Sequence, residues 1–179
     1  MRLFISTVFR NGLGELVQST LKGLESLDLD ARFSSIDQLH LTLKFLGDIS
    51  RERLPTIHDR LKEVTKNQSP FDVMLQGLTV FPNETFIRVV VVNAHSKRLT
   101  KLIEQIDKNI KTSKPATDTP HITLARITSS KNKPQLLDFI TQRKDTVLGE
   151  LKVIGIDLVQ SKLTPTGPVH RIIEEYQFQ

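Results

Sequence analysis

The chain has 179 residues and a formal net charge of +5, with 38% hydrophobic and 25% charged residues. This balance excludes a disordered chain, and we expect one globular domain over residues 1–179. The lack of cysteine excludes disulfide and thiolate chemistry, and the longest apolar runs are too short to cross a membrane, so we expect a cytoplasmic protein.

The first half of the chain alternates between strand-like and helix-like patterns, read from a period of two or from apolar residues at helical spacing. Pro55 lies near the start of the second helix, where a proline is tolerated. In chain order the predicted elements are a strand at 2–9, a helix at 13–27, a short extended piece at 32–35, a strand at 40–47, a helix at 54–64 and a strand at 71–81.

The same order begins again after the turn at Pro82-Asn83. The elements of this second half are a strand at 86–92, a helix at 99–110, a strand at 121–127, a short helix at 136–140, a strand at 151–160 and a strand at 171–178, the last two joined by a turn at 165–168. We interpret the repetition as a duplication with halves of about 1–84 and 85–179. The expected fold is α+β and bilobal, with two pseudo-symmetric lobes of mainly antiparallel sheet and a central cleft.

Each half contains a strand with the pattern His-x-Thr-x, at His40 and at His121, 81 residues apart. In a strand the residues i and i+2 share one face, so His40 and Thr42 oppose the leucines of their strand, and His121 and Thr123 do the same. One such pair is typical of an edge or surface position. Two copies at the same place in a repeated order indicate a shared polar site.

Two imidazoles can be held in opposite protonation states near neutral pH, one as a general base and one as a general acid. The threonine hydroxyls can donate hydrogen bonds to non-bridging phosphate oxygens. This chemistry suits phosphodiester hydrolysis and requires neither a metal nor another cofactor. The basic charge is compatible with a phosphate-bearing ligand, although a solvated basic surface would also explain it.

Two basic residues near the motifs are further candidates. Lys44 lies an even number of residues from His40, so in a regular strand it shares the face of His40 and could contact phosphate. A lysine at the end of a strand more often reaches solvent, however. Arg126 would be a good bidentate phosphate ligand, but in a regular strand its parity is opposite to that of His121, so a bulge or twist is needed to turn it inward. The other histidines, read as surface or capping residues, are His58, His95 and His170.

The sequence resembles the two-histidine (2H) phosphoesterases, and among them the RNA 2′,3′-cyclic phosphodiesterases, formerly described as 2′-5′ RNA ligases. The resemblance covers nearly the whole chain, and its most specific part is the extended first motif. The segments that carry it are 1–5, 39–47, 81–83, 120–126, Ser161 and Gly167-Pro168. One departure is Phe33, where the family usually has tryptophan.

The resemblance implies that His40 donates a proton to the leaving 3′ oxygen, that His121 accepts one from water, and that Thr42, Thr123 and Arg126 bind phosphate. The expected partners are RNA ends or cyclic nucleotides, with no membrane and no obligate protein partner, for a monomeric enzyme. Alternatives are another 2H reaction on RNA 3′ ends or small cyclic phosphates, and a non-catalytic RNA-binding module. A zinc hydrolase is disfavoured because neither motif supplies a third ligand or a carboxylate.

Overall fold

The computed structural model describes residues 1–8, 14–164 and 167–179, with an α+β architecture. Short 3-10 turns lie at Ile36–Gln38 and at Arg51–Arg53. The helices and strands are β1 (Arg2–Val8), α1 (Glu15–Glu25), β2 (Ala31–Phe33), β3 (His40–Asp48), α2 (Leu54–Lys66), β4 (Phe71–Pro82), β5 (Ile87–His95), α3 (Lys97–Asn109), β6 (His121–Ile127), α4 (Lys133–Thr141), β7 (Val147–Val153), β8 (Gly155–Thr164) and β9 (Gly167–Gln177).

The helices form where apolar residues recur at helical spacing. In α3, for example, a single face contributes four buried side chains to the core, namely Leu99, Leu102, Ile103 and Ile106. Fully burying one such side chain stabilises the fold by roughly 1.5–3 kcal/mol. The predicted helices are therefore confirmed. Residue 9 of the first predicted strand, residue 13 at the start of the first predicted helix and residues 165–166 of the predicted turn at 165–168 lie outside the described residues. None of the described helices is long and apolar enough to span a membrane.

The strands form one antiparallel sheet in the order β7-β4-β5-β6-β3-β1-β8-β9, with β2 added beside β6. β3 and β6 pair only through Leu41 and Ile122. We call this junction the seam, because it joins two half-sheets, β7-β4-β5-β6 and β3-β1-β8-β9. The predicted pair of related antiparallel sheets is confirmed, and the structure adds that they are continuous through the two motif strands.

Each half of the sequence contributes strands to both half-sheets. β4 follows the first motif along the chain but pairs with β5 and β7, beyond the second motif strand. Conversely, β8 comes late in the chain but pairs with β1 at its start. Each half-sheet therefore contains strands from both sides of the predicted division near residue 84.

The predicted strand at 151–160 is wrong, because two strands meet there. β7 ends at Val153 and pairs with β4, whereas β8 begins at Gly155 and pairs with β1 and β9. A Cβ on Gly155 would lie 2.5 Å from the backbone oxygen of Tyr176, so only glycine permits the close approach of β9 at this point. The apolar pattern continues through the break, which is why the sequence did not reveal it.

The core lies between the helices and the leucine-bearing face of the sheet. Leu41 and Leu43 of β3, and Ile122 and Leu124 of β6, have no exposed area and belong to the main apolar cluster. The alternation of side chains along each strand then leaves the opposite face to the polar residues of the two motifs. Burial of these apolar side chains thus determines which face of the seam presents the His and Thr side chains of the two motifs.

Candidate active site

The two His-x-Thr segments lie side by side at the seam. β3 and β6 are antiparallel, and Leu41 lies opposite Ile122. The residues one position away on either side are therefore also opposite each other, and they project from the other face. The resulting pairs are His40 with Thr123 and Thr42 with His121. We call the face that carries these four side chains the site face.

A β-bulge turns Arg126 onto the site face. The pairing of β6 with β5 skips Leu124, which is an extra residue between Thr123 and Ala125. Leu124 and Ala125 are both buried, and Arg126 is exposed. The charge of Arg126 contributes to lowering the pKa of His40, so the two side chains are near each other. The bulge that the sequence analysis required for Arg126 is present.

A matching bulge in β3 has the opposite consequence for Lys44. The pairing of β3 with β1 skips Leu43, so the side chain of Lys44 does not continue the parity of His40. Lys44 is only 1% exposed and forms an ion pair with Asp107 of α3, which also accepts a hydrogen bond from the N–H of Ala116. The expectation that Lys44 faces the site is wrong, because the extra residue turns it toward a helix, where its buried charge needs a carboxylate partner.

Both motif histidines are oriented by the backbone carbonyl two residues earlier. The Nδ1 atom of His40 lies 2.8 Å from the oxygen of Gln38, and that of His121 lies 2.6 Å from the oxygen of Thr119. A carbonyl oxygen only accepts, so Nδ1 carries the hydrogen and donates it. Each imidazole therefore reacts through Nε2, as a base when it is neutral and as an acid when it is protonated.

The surroundings of His40 favour its neutral form. Burial lowers the pKa of His40 below the ordinary 6.5, the hydrogen bond to Gln38 opposes this, and the charges of Arg126 and His121 lower the pKa further. The imidazole of His40 is therefore mostly neutral at pH 7 in the free protein. A bound phosphate anion would act in the opposite direction and favour the imidazolium.

His170 on β9, predicted to be a surface or capping residue, is a third imidazole of the site. Its ring centroid lies 5.2 Å from that of His40 and 5.1 Å from that of Phe4. Burial, followed by the charges of His40 and Arg126, lowers the pKa of His170. Its Nδ1 atom is buried without a hydrogen-bond partner in the part of the chain that the structure describes. No local sequence signal marks His170, because only the pairing of β9 with β8, and of β8 with β1, brings it here.

Phenylalanine rings pack against both motif histidines. The ring of Phe4 on β1 lies 5.2 Å from that of His40, and the ring of Phe81 on β4 lies 5.1 Å from that of His121. Phe45, which is 56% exposed, lies beside Phe4 on the site face. These rings exclude water from one side of each imidazole, so the interactions of the imidazoles with a charged ligand are less screened.

The site can therefore bring two proton-transferring groups, two hydroxyl donors and one guanidinium to a single phosphate. Within residues 1–8, 14–164 and 167–179, no group of three or more His, Cys, Asp or Glu side chains is arranged to hold a metal ion. Proton transfer at two Nε2 atoms and hydrogen bonds to phosphate oxygens are the functions these residues can perform.

Comparisons with known proteins agree with this geometry. The family model described as LigT like Phosphoesterase matches the chain twice, over residues 8–91 and 89–170. A protein of Methanocaldococcus jannaschii named RNA 2′,3′-cyclic phosphodiesterase is 30% identical, over 98% of this chain and 100% of its own. A protein of the same name from Methanothermobacter thermautotrophicus is 29% identical, over 99% and 98% of the two chains. Each of the two matched ranges contains one His-x-Thr motif.

Solved structures show the same fold. The protein TT0787 of Thermus thermophilus superimposes with a TM-score of 0.75 at 29% identity, covering 99% of this chain and 98% of its own. The apo form of E. coli LigT gives a TM-score of 0.70 at 19% identity, covering 99% and 96%, and supports the fold alone. With two family matches and paired His-x-Thr strands on one sheet, this chain belongs to the LigT-like family of 2H phosphoesterases.

Proposed function

We propose that this protein hydrolyses RNA 2′,3′-cyclic phosphate ends to 2′-phosphates, with His40 and His121 as a metal-independent acid and base pair. The observation that carries the proposal is the pairing at the seam, which sets two imidazoles and two hydroxyls around one position on the site face. The names of the relatives, which are RNA 2′,3′-cyclic phosphodiesterases, support the choice of substrate.

In the proposed reaction, a water oxygen bonds to phosphorus while Nε2 of His121 takes one of its protons. The bond between phosphorus and the 3′ oxygen breaks, and Nε2 of His40 gives its proton to that oxygen. The products are a 2′-phosphate and a 3′-hydroxyl, and the two histidines exchange protons with solvent before the next turnover. Assigning the acid to His40 rests on the family resemblance, since the symmetry of the site would allow the reverse.

Three further side chains stabilise the charge on the phosphate in this scheme. The hydroxyls of Thr42 and Thr123 donate to non-bridging oxygens, and Arg126 provides a cation on the same face. The bound anion raises the proton affinity of the neighbouring imidazoles, which offsets the lowered pKa of His40 in the free protein. Substrate binding thus brings the acid into its reactive state.

The direct test is incubation of the purified protein with an oligoribonucleotide that ends in a 2′,3′-cyclic phosphate, in the presence of EDTA. We expect a 2′-phosphate product, separated from the 3′ isomer by chromatography, and a loss of about 10²–10⁴ in rate for His40→Ala and for His121→Ala. The exposed His95 provides the matched control, and His95→Ala should keep the parent rate. Parent-like rates in the two motif variants would contradict the proposal.

Two alternatives predict different results in the same assay. Another 2H reaction, on RNA 3′ ends or small cyclic phosphates, would show turnover of those substrates in a panel but none of the cyclic-phosphate oligonucleotide. A non-catalytic RNA-binding module would bind RNA equally well after both motif histidines are replaced. The present geometry favours hydrolysis, because each histidine is fixed in the tautomer that leaves Nε2 free.

The cytoplasmic location and the monomeric state remain predictions. Cell fractionation tests the first. Light scattering during size-exclusion chromatography tests the second, with a mass near 20.3 kDa expected for a monomer.

A further inference from the structure

A third pair of side chains extends the arrangement of the two motifs. β2 pairs with the same edge of β6 that β3 uses, and it does so beyond the seam, where Arg32 lies directly opposite Arg126. Residues opposite each other in an antiparallel pair project from the same face. Because Arg126 is on the site face, Arg32 is there as well. Along β6 the successive pairs are thus His121 with Thr42, Thr123 with His40, and Arg126 with Arg32.

Within the described residues, no carboxylate neutralises this pair of arginines. The side-chain ion pairs in that part of the chain are Lys44 with Asp107, Arg60 with Glu63 and Lys131 with Asp28, and none of them includes Arg32 or Arg126. Both arginines are exposed. Like charges directly opposite each other on two strands are destabilising, so this pair is a cost to the free protein that a bound anion would remove.

The spacing along β6 is suited to two neighbouring phosphates of one chain. Thr123 and Arg126 are three residues apart with the bulge between them, which is about 7–10 Å along the strand. A cyclic phosphate at the histidines would leave the far side of Arg126, and the whole of Arg32, free for a second anion. In an RNA end, that anion is the phosphate on the 5′ side of the terminal ribose.

We propose that Arg32, together with Arg126, forms a second phosphate subsite that binds the 5′ phosphate of the terminal nucleotide. This inference rests on the proposed function and makes it more specific, since the preferred substrate is then an oligoribonucleotide end and not a free cyclic mononucleotide. Arg126 lies between the two anions, and Arg32 serves the second one.

The test compares two product analogues that differ by one phosphate, adenosine 2′-phosphate and adenosine 2′,5′-bisphosphate. Calorimetry at low ionic strength gives the ratio of their affinities for the parent protein, for Arg32→Gln and for Arg88→Gln. Arg88 is a matched control, because it is an exposed arginine next to Val89, the residue of β5 that pairs with Arg126, and its guanidinium stacks on Phe86. Arg88→Gln thus removes an exposed charge beside the β5 partner of Arg126, and this guanidinium already has an aromatic partner.

We expect the parent protein and Arg88→Gln to bind the bisphosphate about tenfold more tightly than the monophosphate, as one charge-assisted contact allows. In Arg32→Gln this ratio should fall to about threefold or less, and Arg32→Lys should restore part of it because the charge is kept. The slope of log affinity against log salt for the bisphosphate should also become shallower by about 0.7 in Arg32→Gln.

Equal affinities of the parent protein for the two ligands would overturn the inference, and so would an Arg32→Gln ratio equal to that of Arg88→Gln. Because the ligands are products, the result does not depend on turnover. If the parent protein hydrolyses cyclic phosphate but does not prefer the bisphosphate, the subsite is refuted and the proposed function stands. If the parent protein prefers the bisphosphate but hydrolyses no cyclic phosphate, the subsite stands and the proposed function is refuted.

Discussion

His40 and His121 share a hydrogen-bonding pattern but not an environment. Both donate from Nδ1 to the carbonyl two residues earlier. His40 also has a second imidazole, that of His170, packed against its ring, and burial is the largest cause of its lowered pKa. The residue assigned as the acid therefore holds its proton weakly in the free protein. His40 therefore has to take up its proton from solvent when the phosphate anion binds and raises its pKa.

The lowered pKa of His40 predicts the pH dependence of the reaction. The alkaline limb of kcat/KM reports the acid in the free enzyme. Its midpoint should therefore lie below pH 6.5, the ordinary pKa of a histidine, because the pKa of His40 is lowered. The alkaline limb of kcat reports the complex, in which the phosphate anion raises the pKa of His40, so it should lie at higher pH. Rate profiles across the histidine range measure both limbs. If His40→Asn keeps the alkaline limb and loses the acidic one, His40 is the base and the assignment is reversed.

His170 is expected to act as a positioning residue through His40. Replacing His170 with Asn removes a ring that helps to bury His40, and burial is the largest cause of the lowered pKa of His40, so this pKa should rise toward 6.5. NMR titration of the His40 imidazole in the parent and in His170→Asn measures the shift. His95→Asn is the control, because His95 is exposed and its charge is not among the causes of the lowered pKa of His40. An unchanged His40 titration would show that His170 only fills space.

At the scale of elements, β3 and β6 share a β-bulge that has different consequences in the two strands. Each motif strand has an extra residue at the fourth position of its motif, at Leu43 and at Leu124. In β6 this brings Arg126 to the site face, and in β3 it sends Lys44 to the helix side. An alternating pattern predicts the face of a side chain only up to a bulge, which is why it places the four motif residues on one face but fails at Lys44.

Lys44 is expected to contribute to stability and not to phosphate binding. Lys44→Met leaves Asp107 without its cation, and because Asp107 is 39% exposed and can be rehydrated, the cost in unfolding free energy should be about 1–3 kcal/mol. Chemical denaturation measures this cost, and Lys44→Met combined with Asp107→Asn should recover part of it. The kcat/KM of the folded Lys44→Met protein should stay within about twofold of the parent value. A tenfold loss would instead support a role in substrate binding.

The local patterns of the sequence sufficed for the helices and for both motif strands, because amphipathic spacing and alternation are properties of neighbouring residues. They did not suffice for the break between β7 and β8, nor for the position of His170. Both depend on which strands pair across the sheet, and an apolar run such as 151–160 is compatible with one strand or two. The pairing of Arg32 with Arg126 is non-local in the same way.

At the scale of the whole molecule, strand exchange links the two halves of the sequence. β4 of the first half lies between β7 and β5, and β8 and β9 of the second half follow β1, so each half-sheet contains strands from both halves. We propose on this basis that residues 1–179 form a single domain, since neither half retains all the strands that cover its own hydrogen-bonding edges.

A single domain should unfold in one cooperative step. Circular dichroism and hydrogen exchange under increasing urea should give coincident transitions for amides of β1, β5 and β8. A fragment of residues 1–84 lacks β8 for β1 and β5 for β4, so it should show no cooperative transition. Two separate transitions in the full chain, or a folded fragment, would contradict a single domain.

The most direct test of the central claim is a double-mutant cycle of His40→Ala and His121→Ala, measured as the rate of opening of a nucleoside 2′,3′-cyclic phosphate in EDTA. If the two imidazoles act on one phosphate in a single step, each variant should lose about 10²–10⁴ in kcat, and the double variant should be about as slow as the slower single variant. Losses that multiply in the double variant, or a double variant that retains the parent rate, would contradict the claim that these two histidines act together.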